Sequence, residues 1–255
     1  MISVDTIYQR VLAAANKEQR GYVTPQEFNL FANQAQMDIF DQYFYDVDKS
    51  SKVHGNETET SDMLDILNEK IDIFEMKNIT VSAGTNLPAP PVNAEIYRLG
   101  TIVFTNSNFD SFEVERVSRK EWLIAQNTSL AQPRSERPIY IRDGKNSSGI
   151  DLIKVFGHNN NLTAMPIPGS IFAQITSGIT CNYIRRPVSV NWGYVVVNGY
   201  AQYDSMSSIN FELHPSEENN LVNKILQLAG VVMKDANLYQ IASQEEIKDI
   251  QQEKS

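Results

Sequence analysis

Pro138-Ile139-Tyr140-Ile141-Arg142 and Ile150-Asp151-Leu152-Ile153-Lys154-Val155-Phe156 are two short runs rich in β-branched and aromatic residues. The cluster Asp143-Gly144-Lys145-Asn146 separates them. Runs of this length bounded by Gly, Asn, Ser and Asp read as strands joined by turns. The same texture extends outward from Ile79 to about Phe211. Ile96–Thr105, Phe112–Val117, Cys181–Ile184 and Gly193–Val197 are further β-rich segments, and Gly157-His158-Asn159-Asn160-Asn161 is a further break. Many short strands at irregular spacing predict an antiparallel sheet or a small barrel. One helical turn is expected at Ser118–Asn127, between strands.

Both ends of the chain carry a helical period instead. Val4 to Ala15 puts Ile7, Val11 and Ala14 on one face. The next helix has a strong start: Thr24 as cap, Pro25 at the first helical position and Glu27 completing a capping box. Its stripe is Phe28, Ala32, Ala35, Ile39 and Tyr43, at spacings of three and four. An acidic loop is expected from about Asp46 to Thr60. A third helix follows over Asp62–Phe74, with Leu64, Leu67, Ile71 and Phe74 in line. Near the other end Pro215 opens a helix, and Glu217 and Glu218 complement its positive end. Its stripe is Leu221, Ile225, Leu228, Val232 and Ala236. After Tyr239 the tail is polar and helix-prone.

The fold class expected is therefore α+β, with terminal helices forming a helical bundle and a central antiparallel β-rich domain. The divisions are 1–78 for the N-terminal helical segment and 79–212 for the β-rich domain. Residues 213–255 form the C-terminal helix and polar tail, packing with the N-terminal helices.

Composition narrows the function. The 255 residues are 42% hydrophobic and 21% charged, which is ordinary globular usage. A single cysteine, Cys181, excludes intrachain disulfides and multi-thiolate zinc sites. The net charge of −9 argues against a protein that coats nucleic acid. The start lacks a basic region followed by an apolar run, and no stretch reaches the 18 or so apolar residues of a membrane span. Synthesis in a reducing cytoplasm is expected, with no membrane partner. Charge is also unevenly spread: residues 1–37 are net zero, 38–75 net −8, 76–200 net +4 and 201–255 net −5.

Catalytic chemistry finds little support. His54, His158 and His214 share no spacing that would put two imidazoles on one face, and His214 before Pro215 reads as part of a helix cap. There is no Gly-x-Ser-x-Gly, no cysteine near a motif histidine and no phosphate-cradling loop with lysine. Cys181 reads as a buried structural thiol. Asp46, Asp48, Ser50 and Glu57 fall at calcium-loop positions 1, 3, 5 and 12, with Val53 at position 8. Ser51 stands where the sharp turn wants glycine, and Lys49 and Lys52 add positive charge, so an acidic surface loop is preferred. No catalytic residue, no metal ligand and no cofactor is assigned. Arg116, Arg119, Lys120, Arg134, Arg137 and Arg142 form a basic series across the β segments. They suit either a solvated face or a contact with an acidic partner, including another copy's acidic region.

Several stretches resemble a known family. Tyr183-Ile184-Arg185-Arg186-Pro187, Asn191-Trp192-Gly193-Tyr194, Asn198-Gly199 and Gln202-Tyr203-Asp204 lead into Asn210-Phe211-Glu212-Leu213-His214-Pro215-Ser216-Glu217-Glu218 and Leu221–Gly230. With Tyr22-Val23-Thr24-Pro25-Gln26-Glu27-Phe28-Asn29, this is similar to virion structural proteins of tailed bacteriophages, notably marine and crAss-like phages. The resemblance covers both ends of the chain and is weak in the middle. It implies a neck or ring protein of the head–tail connector (adaptor) type, a ring of twelve copies between portal and tail. A helical bundle with a β-rich extension is implied, and a C-terminal tail that docks into the portal or the next ring.

In that light Arg185 and Arg186 precede a strand-ending Pro187, and Trp192 and Tyr194 anchor the turn in the core or at a subunit interface. Arg185, Arg186, Trp192, Tyr194, Arg134 and Arg137 are the interface candidates. The function expected is a structural, non-enzymatic virion protein whose partners are other copies of itself, the portal protein and other ring or tail proteins. DNA would pass through its acidic channel without specific binding. A tail-tube, tail-completion or other accessory virion protein is the alternative. A phage cell-wall or glycan hydrolase is the alternative from another class.

Overall fold

The computed structural model describes residues 1–17, 23–52, 57–82, 86–87, 95–106, 108–128, 131–134, 136–147, 149–158, 172–232 and 244. It is a mixed α and β structure with helices and antiparallel sheets. The helices are α1 (Val4–Lys17), α2 (Pro25–Lys52), α3 (Glu57–Asp72), α4 (Arg119–Asn127) and α5 (Glu218–Val232). The first strands are β1 (Glu75–Thr80), β2 (Ile96–Thr105), β3 (Ser111–Glu113), β4 (Glu115–Arg116) and β5 (Ile139–Lys145). The later ones are β6 (Asp151–His158), β7 (Phe172–Ile175), β8 (Ile179–Arg185), β9 (Tyr194–Val197) and β10 (Tyr200–Tyr203). The chain divides into two compact units, Met1–Phe74 with Pro187–Ser255, and Glu75–Arg186.

In the first unit α2 starts as its sequence dictates. The Glu27 amide donates to Thr24 Oγ1 at 3.3 Å, and the Thr24 amide donates to Glu27 Oε2 at 3.0 Å. That reciprocal pair satisfies two donors a helix start leaves orphaned. Phe28, Ala32, Ala35, Ile39 and Tyr43 are all buried. The helix does not stop at Asp46. No Gly or Pro interrupts the chain between Pro25 and Gly55, so the polar residues after Tyr45 lengthen α2 to Lys52 instead of forming a loop. The expected stripe of α3 is the covered one, with Leu67 buried, Leu64 and Ile71 half-buried, and Phe74, two residues past the helix end, buried. Phe74 meets Phe40 edge-on at 4.9 Å between centroids.

The C-terminal helix opens with a 3₁₀ turn at Pro215–Glu217, capped by His214, whose Nδ1 accepts from the Ser216 amide at 3.3 Å. Along α5 the buried stripe is Leu221, Ile225, Leu226 and Ala229, so Leu228 stands to one side of it. α5 packs on α1 and α2, and α3 packs on α2. The side chain of Val232, and Ala236, Tyr22, His54, the 159–161 turn and the 240–255 tail (save 244), lie outside the described residues.

The stretch from Pro187 to Glu212, expected in the β-rich domain, belongs with the helices. The cause is a row of side-chain amides on α2. Asn29 Oδ1 accepts from the Trp192 amide at 2.7 Å. Asn33 both accepts from the Val190 amide at 2.8 Å and donates to the Val190 carbonyl at 2.9 Å. Gln36 donates to the Val188 carbonyl at 2.9 Å and accepts from the Glu212 amide at 3.2 Å. Successive amides stand about 6 and 4.5 Å apart along the helix, against about 6.6 Å per two extended residues. The longer Gln36 side chain takes up the shortfall. The helix thereby acts as a surrogate strand partner for a backbone that would otherwise be unpaired. The chain start joins in, with reciprocal backbone bonds between Ile2 and Phe211 at 3.2 and 3.1 Å.

The second unit holds two four-stranded sheets, ordered β1-β8-β2-β3 and β4-β5-β6-β7. All pairings are antiparallel except β4 with β5. The strand register alternates as pleating requires. Tyr140, Ile153 and Val155 of the second sheet share one apolar cluster with Ile102, Phe104, Ile179, Cys181 and Tyr183 of the first. Ile139, Ile141 and Phe156 face the other way, onto Trp122 of α4. The Trp122 and Phe156 rings stack at 3.9 Å. α4 is held at its start by a second capping box, Ser118 with Glu121. β6 runs through Gly157 and His158, where a turn was expected, because it pairs with β7 there. At Gly178 the chain turns with φ +72°, and a Cβ would lie 2.5 Å from the Thr105 carbonyl oxygen, so only glycine fits.

Candidate interaction surface

The six interface candidates fall on two different units. Trp192 is in the first and is 2% exposed. Its ring lies 4.4 Å from that of Tyr8 and 5.8 Å from that of Tyr194, and Nε1 donates to Asp5 Oδ1 at 3.0 Å. Every face of the indole is occupied within the chain, so its role is to fasten the segment after Pro187 onto α1 and α2. Tyr194 is half-buried beside it, at the start of β9.

Arg185, Arg186, Arg134 and Arg137 belong to the second unit. Arg185 is buried, with Nη1 donating to the Arg186 carbonyl at 3.3 Å. Arg186 lies over the Tyr97 ring at 5.9 Å, and its Nη1 stands 3.6 Å from Glu95 Oε2. Arg134 and Arg137 close a tight turn through reciprocal backbone bonds of 3.2 Å. Arg137 also directs Nε and Nη2 at Glu115 Oε2, at 3.0 and 2.7 Å. That pair is well exposed and contributes at most about 1 kcal/mol. Arg116, Arg119, Lys120 and Arg142 are exposed as well, so this unit carries a basic surface.

Asp46 and Asp48 lie inside α2, where two residues apart means about 200° around the axis. They cannot converge on one ion, which removes the first half of the calcium-loop pattern. Val53–Asn56 and the side chains of Ser50–Asp62 lie outside the described residues. Among the described residues no group of three or more His, Cys, Asp or Glu could hold a metal ion, and no helix is long and apolar enough to cross a membrane. Burial pushes the Cys181 thiol up to about 11, so it is protonated and unreactive at neutral pH. Four carboxylates are pulled below their ordinary range. Asp143 is held ionised by the Lys154 ammonium, Asp204 by the Ser207 hydroxyl, and Glu27 and Glu121 by the capping residues they serve.

The sequence reading passed over two exposed apolar features. The β9–β10 hairpin, Tyr194-Val195-Val196-Val197-Asn198-Gly199-Tyr200-Ala201-Gln202-Tyr203, has no charged residue. Val195, Val196 and Tyr200 are 54, 63 and 77% exposed. Its signal was in plain sight: Asn-Gly between two runs of β-branched and aromatic residues marks a two-residue turn with positive φ, and Asn198 and Gly199 have φ of 52° and 83°. The other feature is the outer face of α4, where Leu123 and Ile124 are 55 and 54% exposed while Trp122 and Ala125 face inward.

No protein-family model matches the chain, and no curated protein matches it at a significant level.

Proposed function

We propose that the chain is a structural, non-enzymatic virion protein that forms a ring in the neck of a tailed phage, joining portal to tail around the DNA channel. The observation that carries this is the division of charge between the two units. Met1–Phe74 with Pro187–Ser255 holds 22 acids against 10 bases, net −12. Glu75–Arg186 holds 9 acids against 12 bases, net +3. Copies so divided attract one another acidic unit to basic unit, and the mechanism is assembly. A closed ring needs this kind of contact, in which two different patches meet head to tail. Residues 38–75, at net −8, would face the channel and repel DNA phosphates so that the genome slides without sticking. In this proposal α1, α2, α3 and α5 act as the helical bundle and the two four-stranded sheets as the β-rich extension. The resemblance of the 183–230 region to phage virion proteins supports the same assignment.

The test is the mass and the image of the purified chain, alone and with the portal protein of the same genome. Dodecameric rings stacked on the portal are expected. A monomer indifferent to portal sinks the proposal. Binding of duplex DNA at physiological salt would sink the sliding-channel part of it.

A further inference from the structure

We propose that the β9–β10 hairpin of one copy docks on the outer face of α4 in a second copy, forming the head-to-tail contact between subunits. This deepens the ring proposal and rests on it only for closure of the contacts into a ring.

On the hairpin, Val197 stands opposite Tyr200 and Val195 opposite Gln202. Val195, Val197 and Tyr200 therefore share one face, while Tyr194 and Tyr203 share the other, on the side of Trp192. That face carries Val195, Val197 and Tyr200 beside one amide, Gln202, and no charge, and its strands carry no lysine, proline or bulge, the devices by which exposed strands usually resist pairing. On α4, Lys120, Leu123, Ile124 and Asn127 follow the i, i+3, i+4, i+7 pattern of a single face. Four strand residues and nine helical residues both extend about 13 Å, so the two elements match in length.

Charge chooses between the two ways copies could use the hairpin. A hairpin-to-hairpin contact would bring together two units of net −12 each. A hairpin-to-α4 contact brings a −12 unit to a +3 unit, with Asp204 at the hairpin base and Lys120 on the helix face. Like charges across an interface are penalised and opposite ones steer it, so the unlike contact wins.

The experiment compares wild type with Val197→Lys/Tyr200→Lys and with Leu123→Asp/Ile124→Asp, by light scattering after size exclusion and by imaging on the portal. All four positions are solvent-facing, and far-UV circular dichroism verifies that each variant is folded. Each variant alone is expected to lose self-association by about tenfold or more in dissociation constant. Mixed together they are expected to pair one to one, because each retains the patch the other lost. Variants that assemble as wild type does overturn the contact. So does an α4 variant that still dimerises while the hairpin variant does not, since that marks a hairpin-to-hairpin contact. A wild type that stays monomeric alone and on the portal overturns contact and ring together. Wild type that associates through these patches yet ignores portal keeps the contact and removes the neck proposal. Rings on portal that tolerate both variants do the reverse.

Discussion

Glu217 is 3% exposed, and Lys70 Nζ lies 2.7 Å from its Oε1. The Asn220 side chain donates Nδ2–H to its other oxygen at 3.1 Å, and the Lys70 ammonium also lies 5.8 Å from the centre of the Tyr43 ring. The sequence places Glu217 at a helix start and explains it by the dipole alone. That part was legible because it is local. The pairing was not, because Lys70 is 147 positions away and nothing in either neighbourhood encodes it. Two charges taken out of water are held by each other, so loss of one leaves the other uncompensated. Glu217→Ala is expected to lower unfolding stability by about 3 kcal/mol, while Lys70→Met with Glu217→Leu recovers most of it. Urea unfolding of the single and the double variant checks this. A single variant that costs nothing would mean that the pair is solvated.

At the scale of elements, capping residues and apolar periods were readable. Thr24, Pro25 and Glu27 fixed the start of α2, and Ser118 opens α4 where a helical turn was expected. The stripe from Phe28 to Tyr43 needed only a period of 3.6. Asn29, Asn33 and Gln36 were not readable as anything but a polar face, since an amide on a helix says nothing of the backbone it will meet. That is why the domain boundary was drawn at 212 instead of 186. The residues between look β-like, and their partner is a helix. Asn33→Leu tests the amide row, because it leaves both the amide and the carbonyl of Val190 without their partner. A loss of about 2–4 kcal/mol is expected, as two part-buried polar groups lose their bonds. Hydrogen exchange at Val190 and Trp192 should accelerate more than exchange in β5 and β6. Uniform acceleration across both units would contradict a local role.

The whole molecule is where the net charge of −9 misleads most, since it sums a unit of −12 and one of +3. The sign change was visible in the sequence at about residue 75, because charge is counted without knowing any contact. What could not be counted was that residues from 187 onward return to the acidic unit. Self-repulsion within the −12 unit acts against its compact state, and salt screens it. The Debye length shrinks from about 30 Å at 0.01 M to about 8 Å at 0.15 M, so repulsion across a unit of this size is largely removed over that range. Sodium chloride is therefore expected to raise the unfolding temperature of the acidic unit by about 2–4 °C and to leave the basic unit nearly unchanged. Asp65→Asn/Glu69→Gln, at exposed positions on α3, should raise the low-salt midpoint and blunt the response. Calorimetry between 0.01 and 0.15 M separates this from ordinary salt stabilisation of apolar burial, which would move both units alike. A midpoint that falls with salt, or a double variant that melts as wild type does at low salt, would show that the acids are held by attractive pairs rather than strained against one another.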